Sequence, residues 1–428
     1  MKDNFQIIIV VVFIMLAIVG VLVFSGAIPI GNDSENLGQG TVVMWGTVKS
    51  AVMAPLLEDF NRANPTFVLQ YVEKNPTTFD QDLLEAIASN TGPDMFFLPD
   101  DLTFRYANKI IVIPYQSFPV SDFKNTFASV GEVFLSSSGV LAFPLIVDPL
   151  MMYYNRSMLD AEGIVAPPAY WDEFMNTVTT LTKRDESNKI VKSGAALGHY
   201  SNVAHAKDIL ATLFMQEGNP IVMEKDGARV SALSNPSYDL SDSLQFYSDF
   251  ANPQKSNYSW NKSYPVSTNA FSREDLAFYF GYASEFASLV NQNPNQNFGV
   301  APVPQIKSAN FKLTGARVTG VAISSFSKNY NTAFIAASQM ATGDFAKKLA
   351  EALMIAPARR NLLAVKPNDP YSPYFYNSAL YARSWLDPSE KDTNDIFRGM
   401  IDGVLSNNAS ARESINDAST RLNLLLIK

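Results

Sequence analysis

Asp100 and Asp101 stand side by side directly after the apolar run MFFLP. Adjacent carboxylates accept hydrogen bonds from hydroxyl or ammonium groups of a small polar molecule. Paired carboxylates also serve glycoside hydrolysis, and Glu285 is a third candidate for that chemistry. Trp45 ends another apolar run, TVVMW, and Thr47 follows it in a short turn. A Trp face suits the C–H patches of a ring, and a Thr hydroxyl suits the polar edge. Each residue has an ordinary structural reading beside the functional one. Trp45 could lie under a sheet, Thr47 could serve the turn, and either Asp could cap the next helix.

Other chemistries are excluded by residue type. There is no Cys, so disulfides, thiolate nucleophiles and Cys-based zinc sites are absent together. Only two histidines occur, His199 and His205, and both read as structural residues before metal ligands. No G-x-S-x-G elbow is present. No metal, cofactor, or Cys- or His-based catalytic site is therefore expected, while the carboxylates leave a carbohydrate-active enzyme as the rival reading. Net charge is −8 without any Lys/Arg block, which argues against a nucleic-acid partner.

The elements that must position these residues alternate in kind. Thr41–Trp45 reads as a buried strand. Val52, Met53, Leu56, Leu57 and Phe60 fall at helical spacing, and Asn64-Pro65 stops that helix. Phe67–Val72 is a second strand. Phe79, Leu83, Leu84 and Ile87 mark a second helix, with Thr78 and Gln81 at capping-box spacing. Met95–Leu98 is a third strand. This order predicts an α/β unit with a mostly parallel sheet. Ligands of such sheets bind beyond the carboxyl ends of the strands, where Gly46-Thr47 and Pro99-Asp100-Asp101 both fall.

Further along, Val140–Phe143 reads as a strand, followed by two apolar stretches, FPLIVDPL and MMYYN. WDEFMNTVTTLTK reads as a helix, as do Ala204–Gln216 and Tyr238–Phe250. Asn252–Thr268 reads as a polar, aromatic surface loop. Leu276–Phe280, Phe298–Val303 and Val318–Ile323 read as strands, and the chain is mainly helical from Asn331 onward. A chain of 428 residues exceeds what one core serves, so two lobes are expected.

At the amino end every residue from Ile7 to Phe24 is apolar or Gly. A helix of that length spans roughly 27 Å, near the ~30 Å core of a bilayer. The segment reads as a transmembrane anchor over residues 1–28, or as a signal segment cleaved near Ala27. Lacking Cys, it has no route to lipid acylation. Residues 29–40 read as a flexible tether.

Seven stretches occur in the order found in one family: TVVMWG, GPDMFF, FPLIVDPLMMYYNRSMLDAEGIVAPPAYWDEF, FYFGYASEF, GVAPVP, TGARVTGVAIS and IAPARRNLL. Together they resemble the maltose-binding-like extracellular solute-binding proteins of ABC importers. The resemblance runs from Thr41 to the carboxyl terminus. Tyr170 stands where the family often has a helix-capping Thr.

The resemblance implies a two-lobed periplasmic-binding-protein-like fold with a ligand cleft between the lobes. Lobe 1 would be 41–145 plus about 320–370, and lobe 2 about 148–316 plus 376–428. Crossings would fall near Pro144–Pro149, Thr314–Gly320 and 368–378, and the two prolines independently suit a hinge. The expected role is capture of a small polar ligand, a carbohydrate first and a polyamine, amino acid or peptide second. The expected partner is an ABC importer permease, and the expected state is a membrane-anchored monomer. A sensor lobe feeding a membrane receptor is disfavoured, because no signalling segment follows.

The resemblance also carries site residues. Asp148 would lie on the first crossing, as a ligand contact or a hinge hydrogen bond. Tyr200 and Asn202 in GHYSN would bring an aromatic and a polar group to the ligand. Tyr282 in GYASEF would be the aromatic platform, with Ser284 and Glu285 beside it. Arg317 would fork onto ligand hydroxyls or a carboxylate, or bridge the lobes. Trp385 in ARSWLDP completes the set with Trp45, Thr47, Asp100 and Asp101.

Overall fold

The computed structural model describes residues 38–427. The expected anchor over 1–28, and the tether up to Leu37, lie outside the described residues.

The first half opens with β1 (Gly40–Gly46), α1 (Ser50–Ala63), β2 (Phe67–Glu73), α2 (Phe79–Ala88) and β3 (Met95–Pro99). The β1 strand runs between β2 and β3 and parallel to both. Its β-branched and apolar residues suit a strand covered on both faces. Met53, Leu56 and Phe60 are the buried stripe of α1. Thr78 gives no capping bond to α2: its hydroxyl turns to Asp82, and Gln81 turns to Glu85. The i,i+4 partners on the helix surface win those side chains.

The stretches FPLIVDPL and MMYYN form one thirteen-residue strand, β4 (Phe143–Asn155). After it come α3 (Trp171–Leu181), β5 (Ile190–Ala195), α4 (Ala206–Gln216), β6 (Leu276–Tyr282), β7 (Phe298–Pro302) and β8 (Thr314–Ile323). The remainder is mainly helical: α5 (Tyr330–Thr342), α6 (Phe345–Leu353), α7 (Ser372–Leu380), α8 (Glu390–Leu405) and α9 (Ala411–Leu426). No side chain caps α3 at Tyr170.

An eleven-stranded sheet follows the order β2-β1-β3-β8-β4-β6-β5, with β7 on β4 and three two-residue strands beside them. Among its longer strands, parallel pairing occurs in two places, β2-β1-β3 and β6-β5; the short strand Ala382–Arg383 also runs parallel to β8. In the middle, β8 is antiparallel to β3 and to β4, and β4 is antiparallel to β6 and β7. The expectation of a mostly parallel sheet thus holds for each end and fails where the chain passes between them. The reason lies in β4, which pairs with β8 through Phe143–Pro149 and with β6 and β7 through Leu150–Asn155. A bulge interrupts the β8–β4 ladder: Thr319 faces Ile146, and Gly320 faces Pro144. A Cβ on Gly320 would stand 2.9 Å from the Phe143 carbonyl oxygen and from the Phe134 ring.

The α4 helix is buried on nearly every side, as expected of a helix that is apolar all round. Its buried Lys207 is answered by Asp387 at 2.9 Å, with side-chain exposures of 9% and 6%. The loop from Asn252 to Thr268 is not purely a surface feature. Trp260 within it is 1% exposed and donates Nε1–H to Asn202.

Candidate ligand cavity

A cavity of about 500 Å³ is lined from both parallel parts of the sheet and from the strands between them. Its lining draws on both halves. The turn after β1 supplies Thr47, and the end of β3 supplies Asp100 and Asp101. The strands β4 and β8 supply Asp148 and Arg317, the first turn of α4 supplies Lys207 and Asp208, and the end of β6 supplies Tyr282. The segment before α8 adds Arg383, Ser384, Trp385 and Asp387, and the first residue of α8 adds Glu390. A second space of about 540 Å³ shares Thr47, Asp101 and Glu390 with the first, so the groove continues past them.

Neither Asp100 nor Asp101 caps a helix, since Pro99 occupies that position in the short 3-10 turn that follows β3. Asp100 instead accepts the Val318 amide at 3.3 Å and the Ser384 hydroxyl. Burial, then the mutual repulsion of the pair, pushes the Asp100 carboxyl well above the usual carboxylate range. Burial also raises Asp101, with Glu390 the next contributor. Asp148 Oδ1 accepts the Ser284 amide at 2.9 Å and so ties the middle of β4 to the turn after β6. Burial lifts its pKa to about 6.

Arg317 stands across the cavity on β8. Its guanidinium reaches Asp208 at 3.8 Å and lies 4.1 Å above the centroid of the Tyr282 ring. His205 meets the edge of the same ring at 4.9 Å. Tyr282 is 3% exposed. Its face is therefore covered by protein, and it is not an open aromatic platform. The cavity's half-buried aromatic is Trp385, stacked on Phe397 at 6.2 Å.

Behind Tyr282 lies a polar cluster. His205 Nε2 is 2.6 Å from Glu285. Glu285 also accepts the Tyr279 hydroxyl at 2.5 Å and the Tyr282 amide at 2.8 Å. Burial opposes a charged His205, yet its hydrogen bonds to Asp208 and Glu285 prevail and raise its pKa to about 9. His205 holds a left-handed backbone, φ 58°, at the amino end of α4. Such a conformation costs a residue with a Cβ about 1 kcal/mol, and the cluster over-determines it.

Of the twelve sequence candidates, seven line the cavity: Thr47, Asp100, Asp101, Asp148, Tyr282, Arg317 and Trp385. The other five lie outside the lining. Trp45 packs at the edge of the core with Lys74 Nζ 3.5 Å from its ring centroid. Tyr200 donates its hydroxyl to Asn394 at 2.8 Å, beneath Arg398. Asn202 is buried, and its amide holds the Asn261 and Tyr264 carbonyls. Ser284 acts through its backbone on Asp148, and Glu285 faces His205. The sequence reading missed Lys207, Asp208, Arg383, Ser384, Asp387 and Glu390. A signal existed for two of them: Lys207-Asp208 is the sole charged pair in a helix whose other residues are mostly apolar.

Among the described residues, no group of three or more His, Asp or Glu is arranged to hold a metal ion.

A family described as bacterial extracellular solute-binding protein matches residues 45–356. A binding protein of Brucella abortus is 28% identical over 142 residues, which are 31% of this chain and 34% of that protein. The match thus spans about a third of that relative's length. The diacetylchitobiose-binding protein of Streptomyces coelicolor is 23% identical over 309 residues, 68% of each chain. The solved cyclic α-maltosyl-1,6-maltose-binding protein of Arthrobacter globiformis superposes with a TM-score of 0.76 at 15% identity. That superposition covers 91% of this chain and 99% of the other. At that identity the likeness establishes the fold.

Proposed function

The chain belongs to the bacterial extracellular solute-binding proteins, and from that premise we propose that it captures a sugar or oligosaccharide outside the cytoplasm for an ABC importer. The observation that carries this reading is the cavity lined from both parallel parts of the sheet. Carboxylates, a guanidinium and a hydroxyl surround it, with one tryptophan on its wall. Carboxylates accept from sugar hydroxyls, Arg317 donates to their oxygens, and Trp385 offers apolar surface to a ring face. The sugars named for the Streptomyces and Arthrobacter relatives support the same class.

Capture works by closure in this reading. The lobes are 41–145 with about 320–370, and about 148–316 with 376–428. They swing about β4 and β8. Only a ligand that binds the closed arrangement more tightly drives that motion. A micromolar affinity supplies about 8 kcal/mol, enough to outweigh an opening preference of a few kcal/mol. The importer permease then receives the closed, loaded form. The apolar run Ile7–Phe24 is read as a single-pass anchor that keeps the binding part beside the permease, and cleavage near Ala27 would release it. The reading is binding without turnover.

A thermal-shift screen of the full chain in mild detergent tests the proposal. Maltotriose, N,N′-diacetylchitobiose and mannobiose are compared with spermidine and single amino acids. A sugar present at 100 times its Kd adds about 2.7 kcal/mol and raises Tm by a few degrees. If every sugar is silent while another class shifts Tm, the carbohydrate reading fails. Release of shorter sugars on incubation would overturn binding without turnover.

A further inference from the structure

The cavity holds more acid than base. Asp100, Asp101, Asp148, Asp208, Asp387 and Glu390 line it, against Lys207, Arg317 and Arg383. Pairing inside the protein uses up much of the positive charge. Lys207 is bound to Asp387 at 2.9 Å, and Arg317 lies between Asp208 and the Tyr282 ring. Asp100, Asp101, Asp148 and Glu390 take part in no ion pair among the described residues. One atom among them stands out. Asp101 Oδ1 is buried and has no hydrogen-bond partner among the described residues. An unanswered buried acceptor costs about 1–3 kcal/mol, and more when charged. Asp101 borders both spaces of the groove, with Glu390 beside it on each. Asp101 thus brings an unanswered acceptor to the wall of the groove.

Resting on the sugar-capture reading above, we propose that the ligand is a saccharide with a free, protonated amine whose ammonium docks on Asp101 beside Glu390. A neutral hydroxyl would satisfy the hydrogen bond but leave the surplus charge unanswered. An ammonium satisfies both. Burial is the first cause of the raised carboxyls of Asp100, Asp101 and Asp148, and a ligand ammonium beside them would favour their charged forms. A linear polyamine fits less well. Its further cations would meet Arg317 and Arg383 across the same cavity, and it has no ring face for Trp385.

Matched sugars test this with the full chain in mild detergent. Glucosamine, galactosamine and their dimers are titrated by calorimetry against the same sugars with a hydroxyl or an acetamide in place of the amine. The expected result is at least tenfold tighter binding of one amine over both of its neutral counterparts. In D101N that ratio falls to within about twofold, and Tm stays equal or rises. E390Q, at an exposed position, shrinks the ratio in the same direction and guards against a folding defect in D101N. Neutral sugars binding as tightly as their amines overturn the inference while leaving sugar capture standing. Silence from every sugar overturns both. Spermidine binding more tightly than any sugar overturns the saccharide and this proposal with it.

Discussion

His205 Nε2 lies 2.6 Å from Glu285 Oε1, and this contact ties the amino end of α4 to the turn that carries Tyr282. The pair has a pH signature. The folded-state pKa of His205 is raised to about 9, above an unfolded value of about 6.5. The stability it contributes is complete below about pH 6.5 and is lost as pH climbs through about 9. A shift of this size corresponds to on the order of 3 kcal/mol. Tm should therefore fall more steeply between pH 7 and 10 in the wild type than in H205Q. With only two histidines in the chain, imidazole NMR signals can be assigned by one substitution. One signal should titrate near pH 9 and the other, His199, below its ordinary range because burial disfavours its charge. A His205 signal titrating near 6.5 would refute the cluster.

Lys207 and Asp387 form a buried pair that also borders the cavity. Removing one partner strands the other charge in a desolvated site, at a cost of about 3–5 kcal/mol. K207M and D387N should each lower the unfolding free energy by that amount, seen in urea as a lower midpoint at an unchanged slope. The double variant should recover much of the loss, because no orphan charge remains. Equal and additive losses would show that the two residues act independently.

Period and punctuation made the first half of the sheet readable. Alternating apolar runs and Pro or Gly stops placed β1, β2 and β3 within a residue or two of their observed ends. They also placed Thr47, Asp100 and Asp101 beyond the strand ends, where the cavity lies. Antiparallel passage through the middle was not legible. Pairing partners of β4 are set by contacts more than a hundred residues away, and no local pattern encodes them. How far two of the aromatic candidates are covered was not legible for a related reason. Tyr282 and Trp45 sit at strand ends, yet Arg317 and Lys74 cover them, and cation–π partners distant in sequence leave no periodic trace. Of the acids after Trp385, Asp387 sits in a loop and Glu390 opens α8, where sequence spacing says nothing about which wall of a cavity they face.

Gly320 marks the bulge between β8 and β4. A methyl group there would come within 2.9 Å of a backbone oxygen that a paired strand cannot easily move. G320A should cost about 1–3 kcal/mol, as overpacking does. G320V should cost more. Chemical denaturation measures both. If the bulge also lets the two halves swing, G320A should slow ligand association in stopped flow beyond what its stability loss explains. Unchanged stability in G320A would mean that the ladder relaxes around the methyl group.

Trp385 and Tyr200 separate the cavity aromatic from the structural ones. Trp385 lines the cavity and is held by its stack on Phe397. Tyr200 lies outside the lining, with its hydroxyl bound to Asn394. W385A should weaken binding of the sugar found in the thermal screen by tenfold or more, about 1.4 kcal/mol, because a ring face loses its apolar partner. Y200F should leave Kd within about twofold and lower stability by about 1 kcal/mol, the worth of one hydrogen bond. Calorimetry and urea melts on the same two variants give both numbers. The reverse pattern, with Kd lost in Y200F and kept in W385A, would place the ligand in the GHYSN loop instead and would sink the cavity assignment.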